Sequence, residues 1–336
     1  MLTLGIETSC DETAIGVLED GKVLANIVSS QIAHSKFGGV VPELAARNHI
    51  KVIVPLTKIA LEVAQRSLED VDVISVTRGP GLIGAILVGL SFAKSLSIAL
   101  NKPFIGINHL EGHIYALHLD KKKPRYPYLV LLVSGGHTEL ILIRKEFQYE
   151  TLGKTLDDAC GEAFDKVAKL IGLPYPGGPY IENAAKDGAL GAIKFPVPKP
   201  KDYNFSYAGL KTAVLYYTRD NSDYNRNDVA ANFQEVAIEH LVQVTARAIE
   251  ATKVTHCGVV GGVSANKRLH ERFRALAGEM GVELSIPGLQ YCTDNGVMIA
   301  LAGARRFKKY GPSDLSVDAV AREALDKISL TSFDKS

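Results

Sequence analysis

Cysteine is scarce in this sequence and is never closely paired. Among 336 residues there are four cysteines, Cys10, Cys160, Cys257 and Cys292, and no two of them form a C-x-x-C motif. A chain of this length with widely separated cysteines has no need of a disulfide framework. We therefore expect free thiols in a reducing compartment.

Features of export and of membrane insertion are also lacking. The first residues carry no basic segment followed by a long apolar run, so no signal peptide is predicted. The most apolar stretch, Leu82–Leu100, contains Lys94 and several glycine and serine residues, which favours a buried helix over a membrane span. We expect a soluble, cytoplasmic protein with no membrane partner.

An excess of charge of one sign is absent as well. The 38 Lys and Arg residues balance 37 Asp and Glu residues, so the formal net charge is +1. The overall field neither favours nor opposes nucleic-acid binding, and any such contact must be local. Two basic runs, residues 121–125 and 305–309, are candidates, although short basic runs are more often solvated faces or linkers.

Two halves of the chain follow the same order of predicted elements. The first opens with strand Leu2–Thr8, a polar turn and two more strands, which Asp20-Gly21 joins into a hairpin; helices and strands then alternate. The second opens with strand Tyr128–Val133 and repeats that order. Such a duplication predicts two lobes, 1–120 and 121–336, the second with an irregular insertion around 173–227. The predicted class is α/β, a duplicated ribonuclease-H-like fold of the two-lobed actin/hexokinase/Hsp70-like (ASKHA) type.

Small polar turns occupy matching positions in the two halves, at Ser9–Glu12 and Ser134–His137. Backbone N–H groups in a tight turn form an anion-binding concavity, and glycine lets a phosphate come close. A third turn, Gly261-Gly262, leads from a strand into a helix, where an adenine or a ribose can lie on the backbone. Each turn taken alone is as consistent with a simple chain reversal.

The segment Gly79-Pro80-Gly81-Leu82-Ile83-Gly84 matches G-x-G-x-x-G but does not indicate a dinucleotide site. That site requires an acidic residue ~20 positions further on to bind the ribose. No Asp or Glu occurs between Ala85 and Leu110. A tight turn with close helix packing is the favoured interpretation.

His109 and His113 stand four residues apart, so on a helix they share one face and can bind one metal ion. Asp294 opens a predicted helix at the matching place in the second half and is the candidate third ligand. The order H-L-E-G-H is not the zincin H-E-x-x-H, because its Glu is misplaced for a general base. The spacing by itself leaves coincidence open.

Six stretches carry a family resemblance: Gly5–Thr13, Asn108–Tyr115, Val133–Thr138, Gly161–Lys166, Gly261–Asn266 and Tyr291–Met298. Together they closely resemble the universal tRNA threonylcarbamoyl transferase (TsaD) family, bacterial branch, nearly from end to end. The resemblance implies transfer of threonylcarbamoyl from threonylcarbamoyl-AMP to the exocyclic amine of the adenosine 3′ of the anticodon, in tRNAs reading ANN codons, with release of AMP. A metal-dependent glycoprotease and an ASKHA-fold ATPase or kinase stay as alternatives.

The resemblance also implies site residues and partners. His109, His113 and Asp294 would hold one divalent metal ion, iron or zinc, and Asp11 and Glu12 would be catalytic residues that orient the reacting groups. The implied partners are tRNA, a non-catalytic paralogue of the same fold (TsaB-like) and a small P-loop ATPase (TsaE-like). The implied adenylate contacts are Leu132, Val133, Ser134, Gly135, Gly136, Asp165, Gly178, Glu182 and Asn266.

Overall fold

The computed structural model describes residues 1–30, 39–120 and 123–328. The chain forms two compact units, one made of Met1–Lys123 with Pro287–Ser336 and the other of Pro124–Ile286. The first boundary lies close to the predicted one, whereas the chain from Pro287 onward belongs to the first unit and not to the second. Lys121 and Lys122, which begin one of the two predicted basic runs, lie outside the described residues. All four cysteines are free thiols.

The first unit is built on a five-stranded mixed sheet. Its order is β3-β2-β1-β4-β5, with β1 to β3 antiparallel and with β4 and β5 parallel to β1. The predicted hairpin turn is confirmed, because Asp20 and Gly21 both have positive φ, at 48° and 84°. The elements are β1 (Leu2–Glu7), β2 (Glu12–Glu19), β3 (Lys22–Ser30), α1 (Pro42–Ala64), β4 (Val73–Gly79), α2 (Ile83–Leu100), β5 (Phe104–Asn108) and α3 (His109–Ala116).

Helix α2 has the length and apolar composition of a membrane span. Within the protein, 28% of it is buried. Small and branched residues, among them Ala85, Ile86 and Leu90, form its buried side. Ile83, Leu87 and Ile98 are exposed, with Ile98 at 67%. The sequence predicted a buried helix, and the structure shows burial along one side.

The second unit repeats the sheet of the first. Its order is β10-β9-β6-β7-β8, with β6 to β8 antiparallel and with β9 and β10 parallel to β6. This is the predicted duplication, and α5 and α6 lie within the segment predicted as an irregular insertion. The elements are β6 (Tyr128–Val133), β7 (Thr138–Lys145), β8 (Gln148–Lys154), α4 (Cys160–Leu170), α5 (Gly177–Ala185), α6 (Ala208–Asp220), α7 (Arg226–Thr252), β9 (His256–Val260), α8 (Lys267–Met280) and β10 (Glu283–Ser285).

The last long helix, α9 (Gly296–Tyr310), packs across β1, β2 and β4 of the first unit. Glycines make this approach possible. A Cβ atom on Gly5 would lie 2.1 Å from the carbonyl oxygen of Gly296, and one on Gly16 would lie 2.3 Å from the backbone nitrogen of Val297. Backbone therefore packs directly on backbone where α9 crosses the sheet.

Candidate functional site

In the first unit, a group of polar side chains gathers where β5 ends and α3 begins. Asn108 ends the strand, and its Oδ1 accepts hydrogen bonds from the backbone N–H groups of Leu110 and Glu111, at 2.9 and 3.3 Å. This cap begins the helix at His109. His113 follows one turn later, and the two imidazole rings meet edge to face with centroids 4.7 Å apart.

Asp294 stands just before α9 and faces both histidines. Its Oδ1 lies 3.5 Å from His109 Nε2 and 3.1 Å from His113 Nε2. One donor atom from each of the three residues lies within 4.8 Å of the others. Ligands held ~2.1 Å from a tetrahedral ion lie ~3.4 Å from one another, so this group fits a single ion with small shifts. Two imidazoles and a carboxylate are donors that both zinc and iron accept.

A buried carboxylate, Glu7 at the end of β1, orients His109. Its Oε1 accepts a hydrogen bond from the Ser9 N–H at 2.5 Å, and its Oε2 accepts one from Thr77 Oγ1 at 2.5 Å and lies 3.0 Å from His109 Nδ1. An ionised carboxylate only accepts, so Nδ1 carries a proton toward Glu7 and Nε2 faces Asp294. Burial opposes ionisation of Glu7, but the charge and hydrogen bond of His109 hold its pKa below the usual value.

His109 itself favours a cation at its position. Burial lowers the pKa of the imidazole, yet the carboxylates of Asp294 and Glu7 outweigh burial and raise the pKa to about 9. A buried positive charge is thus stabilised between two acids. A metal ion bound at Nε2 would replace the proton there, so the electrostatics of the group suit a divalent cation.

Asp11 ends the turn between β1 and β2, and Glu12 begins β2. Glu12 Oε1 accepts a hydrogen bond from Ser30 Oγ at 2.9 Å. Burial and then the nearby charge of Asp294 raise the pKa of Glu12 to about 7. A carboxyl group with such a pKa can give or take a proton at neutral pH. The structure therefore brings Glu12 into the electrostatic reach of the His-His-Asp group.

Glu111 lies between the two histidines in sequence but faces a different partner. Arg306 of α9 donates to it from Nε at 2.5 Å and from Nη2 at 2.8 Å, and both side chains are buried. The pair joins α3, which carries both histidines, to α9, which follows Asp294. Arg306 is therefore not part of a nucleic-acid surface, and the basic run predicted at 305–309 is interrupted by a buried ion pair.

In the second unit, a turn at the end of β6 holds Ser134, Gly135 and Gly136, which follow the buried Leu132 and Val133. The Ser134 N–H donates to the His137 carbonyl at 2.8 Å, which closes the turn. The Gly161 N–H at the start of α4 donates to the Ser134 carbonyl at 3.2 Å. The turn is thus fixed against the first residues of α4.

The Gly261–Asn266 segment packs against the same strand. Gly261 follows β9 with φ of 93°, and a Cβ there would lie 2.4 Å from the Val133 carbonyl oxygen, so only glycine fits. By contrast, Cβ atoms added at Gly135, Gly136, Gly178 and Gly262 would meet no atom of the described residues within 4 Å. These four glycines leave open space beside the backbone, as a phosphate or a flat ring requires.

Asp165, Glu182 and Asn266 each hold the start of a helix in this unit. Asp165 Oδ1 accepts from the Gly177 N–H at 2.6 Å, at α5, and Glu182 Oε1 accepts from the Lys267 N–H at 2.9 Å, at α8. Asn266 accepts from the Leu269 N–H at 3.0 Å and donates to Gln234 Oε1 at 2.8 Å. Both ends of the Asn266 amide therefore serve to hold the Gly261–Asn266 segment.

With this geometry in place, the chain can be compared with known proteins. Residues 22–301 match the family model described as TsaD, tRNA N6-adenosine threonylcarbamoyltransferase. Curated relatives of that name include the protein of Thermosipho africanus, 49% identical over 95% of this chain and 98% of the relative. That of Thermosipho melanesiensis is 53% identical over the same shares, and that of Salinibacter ruber is 52% identical over 91% of this chain and 95% of the relative.

The chain belongs to the tRNA N6-adenosine threonylcarbamoyltransferase family. It is therefore an enzyme, a transferase of tRNA modification that carries out threonylcarbamoyl transfer to tRNA. The resemblance seen in its motifs is confirmed along nearly the whole chain.

Solved structures confirm the fold. An activator of 2-hydroxyisocaproyl-CoA dehydratase from Clostridium difficile, with bound ADPNP, aligns with a TM-score of 0.53 over 92% of this chain and 96% of that protein, at 14% identity. Full-length HypF in its phosphate- and nucleotide-bound form aligns with a TM-score of 0.61 over 93% of this chain and 47% of HypF, at 13% identity. At these identities the likeness establishes the ASKHA-type α/β fold alone.

For this member of the transferase family, the structure brings His109, His113 and Asp294 together in the first unit, and the implied adenylate contacts all belong to the second unit. Sequence reasoning missed Glu7 and the pair of Glu111 with Arg306. Glu7 lies inside the first family motif, and an acid that ends an otherwise uncharged strand was the available signal. Arg306 had no such signal, because it was hidden in a basic run.

Proposed function

We propose that the chain transfers the threonylcarbamoyl group from threonylcarbamoyl-AMP to the exocyclic amine of the adenosine 3′ of the anticodon, in tRNAs that read ANN codons, and releases AMP. The observation that carries this proposal is the convergence of His109, His113 and Asp294 in a chain of this family. The amine of adenine is a poor nucleophile, so the positioning of both substrates must supply much of the rate. The acceptor base must be unstacked from the anticodon loop before it can react.

In this proposal, His109, His113 and Asp294 hold one divalent ion, iron or zinc. When bound, the ion supplies Lewis-acid stabilisation to phosphate or carbamoyl oxygens. Glu7 holds the proton on His109 Nδ1 so that Nε2 is available to the ion. Asp11 and Glu12 orient the reacting groups.

The second unit would bind the adenylate. Leu132, Val133, Ser134, Gly135 and Gly136 would line its phosphate and acyl region, where Gly135 and Gly136 leave space beside the backbone. N–H groups of a turn beside a helix start suit an anion. The other proposed contacts are Asp165 and Glu182 for the ribose hydroxyls, Gly178 for the nucleoside and Asn266 on the adenine side.

Exposed apolar residues on α1 and α2 support a protein partner, which we propose to be a non-catalytic paralogue of the same fold (TsaB-like). Ile50 and Val63 of α1 are 63% and 55% exposed, and Leu87 and Ile98 of α2 are also exposed. The two helices contact each other, and contiguous exposed apolar surface is typical of interaction sites. A small P-loop ATPase (TsaE-like) and tRNA complete the proposed set, in the cytoplasm. Because the net charge is only +1, the partners would supply part of the basic tRNA surface.

Reconstitution tests the function. The chain is mixed with threonine, bicarbonate, ATP, the adenylate-forming enzyme, both proposed partners and unmodified tRNA, and the modified adenosine is measured after digestion. We expect modification only of tRNAs that read ANN codons, and His113→Ala should abolish it. Absence of the modified adenosine with every component present would refute the proposal.

A glycoprotein substrate, and ATP with candidate sugars, belong in the same assay, because a metal-dependent glycoprotease and a kinase are the alternatives. Glu111 lies buried against Arg306 and is not placed as a general base beside the histidines. We therefore expect no cleavage and no phosphorylated sugar. Metal-dependent cleavage that His109→Ala removes would favour the protease.

A further inference from the structure

Two helices of the first unit are bonded directly to the turn between β1 and β2. The Leu82 N–H, just before α2, donates to the Ser9 carbonyl at 2.8 Å, and Thr8 Oγ1 donates to the Ala85 carbonyl at 3.0 Å. From α1, His49 reaches the same turn. The turn is thus held from two sides by elements far away in sequence.

His49 is completely buried and bridges the two ends of this turn. Its Nε2 lies 3.0 Å from the Cys10 carbonyl oxygen, and its Nδ1 lies 2.7 Å from Thr13 Oγ1. A carbonyl oxygen only accepts, so Nε2 donates to Cys10, and Nδ1 forms the hydrogen bond with the hydroxyl group of Thr13. Both ring nitrogens therefore hold this segment. Asp11 and Glu12 lie between the two residues that His49 holds.

We propose that His49 is a positioning residue for the transfer reaction, because it fixes the turn that presents Asp11 and Glu12. The inference rests on the proposed function and on the roles proposed there for these two acids.

Substitutions that remove the bridge from either end test this proposal. His49→Leu removes both hydrogen bonds, and Thr13→Val removes one of them without a change at His49. The matched control is Thr57→Val, because Thr57 is also buried in α1 but donates only to the Ile53 carbonyl, at 2.7 Å, within the helix. His49→Gln keeps a donor for Cys10 and an acceptor for Thr13, so it is the conservative variant.

In the reconstituted assay, we expect kcat to fall at least tenfold for His49→Leu and for Thr13→Val, with KM for the adenylate changed less than twofold. The double variant should be no worse than His49→Leu, because both changes remove one bridge. His49→Gln should recover most of the lost kcat, and Thr57→Val should behave as the wild type. Equal defects in His49→Leu and Thr57→Val would show a merely structural role and overturn the proposal.

Amide hydrogen exchange of the peptide that spans residues 9–13 separates this inference from the proposed function. We expect at least tenfold faster exchange there in His49→Leu and in Thr13→Val, and no change in Thr57→Val. If the variants show these exchange rates but the wild-type chain fails to modify tRNA, the positioning role is retained and the proposed transfer is rejected. Unchanged exchange in Thr13→Val, whether or not His49→Leu folds, would overturn the positioning role even if transfer proceeds normally.

Discussion

The two units share one strand order but differ in what surrounds particular glycines near their candidate sites. In the first unit, Gly5 and Gly16 lie against the backbone of α9, where no Cβ atom fits. In the second unit, Gly135, Gly136 and Gly178 have open space where a Cβ would stand, within the described residues. Gly5 and Gly16 thus allow the close packing of a helix, whereas these three glycines border the open space in which we propose that the adenylate binds.

The units also differ in how deeply their ion pairs are buried. The first buries an ion pair, Glu111 with Arg306, whose side chains are 0% and 5% exposed. The second places its main network, Arg272 with Glu235 and Glu239, at about a quarter exposure. A buried charge depends on its partner, whereas a partly exposed one can return to water. Loss of an equivalent arginine should therefore have unequal effects in the two units.

The largest effect is expected from Arg306→Met. This change removes the guanidinium group that pairs with the buried Glu111, which should lower the free energy of unfolding by ~3–5 kcal/mol. The matched control is Arg272→Met, for which a loss below ~1 kcal/mol is expected. Urea unfolding followed by circular dichroism measures both. Equal losses would show that burial does not distinguish the two networks.

Gly16→Ala should have the next largest effect. The new Cβ would lie 2.3 Å from the Val297 backbone nitrogen, so α9 must move and stability should fall by ~3 kcal/mol. Gly278→Ala in α8 is the control, since it meets no described atom within 4 Å and alanine favours a helix by up to ~1 kcal/mol. The shift of the urea midpoint should be large and downward for the first, and small or upward for the second. A stable Gly16→Ala protein would contradict direct backbone packing.

Buried histidines extend the comparison, because the pKa of His240 in the second unit is lowered whereas that of His109 in the first unit is raised. Burial and then the charge of Arg247 lower the pKa of His240 from 6.5 to about 4, and the neutral ring accepts a hydrogen bond from the Ser206 N–H at 3.2 Å. Between pH 6.5 and 4 the unfolded chain binds the proton and the folded protein does not. Stability should therefore decrease as the pH falls through this window, by about 2 kcal/mol in total.

The measurement is the free energy of unfolding at pH 7 and at pH 4.5 for the wild type and for His240→Asn. The variant lacks the titrating ring, so its loss between the two pH values should be smaller than that of the wild type. An identical loss in both proteins would exclude His240 as the source.

The smallest expected effect concerns Gly178→Ala. The methyl group enters open space, so the stability should stay within ~0.5 kcal/mol of the wild type. If that space receives the nucleoside, the affinity for AMP should fall about tenfold, which equals ~1.4 kcal/mol. Isothermal titration with AMP measures this change, again with Gly278→Ala as control. Unchanged AMP affinity would remove Gly178 from the proposed adenylate contacts.

Much of the fold could be predicted from the sequence, because hairpin signals and alternating apolar segments are local. Asp20-Gly21 predicts its turn, and the spacing of His109 and His113 predicts a shared helix face. The packing of α9 on the first sheet was not predicted, because an amphipathic helix does not specify its partner sheet and the close pair of Gly16 and Gly296 is far apart in sequence. Burial of Arg306 depends on the same packing.

The return of the chain to its first unit has a consequence for synthesis. Residues 124–286 are contiguous, so the second unit can fold while the rest of the chain is still being translated. The first unit is complete only after α9 has been synthesised. Asp294 can approach His109 and His113 only when that unit has folded. A nascent chain stalled before residue 294 would already hold the glycine turns of the second unit but not the third donor for a metal ion.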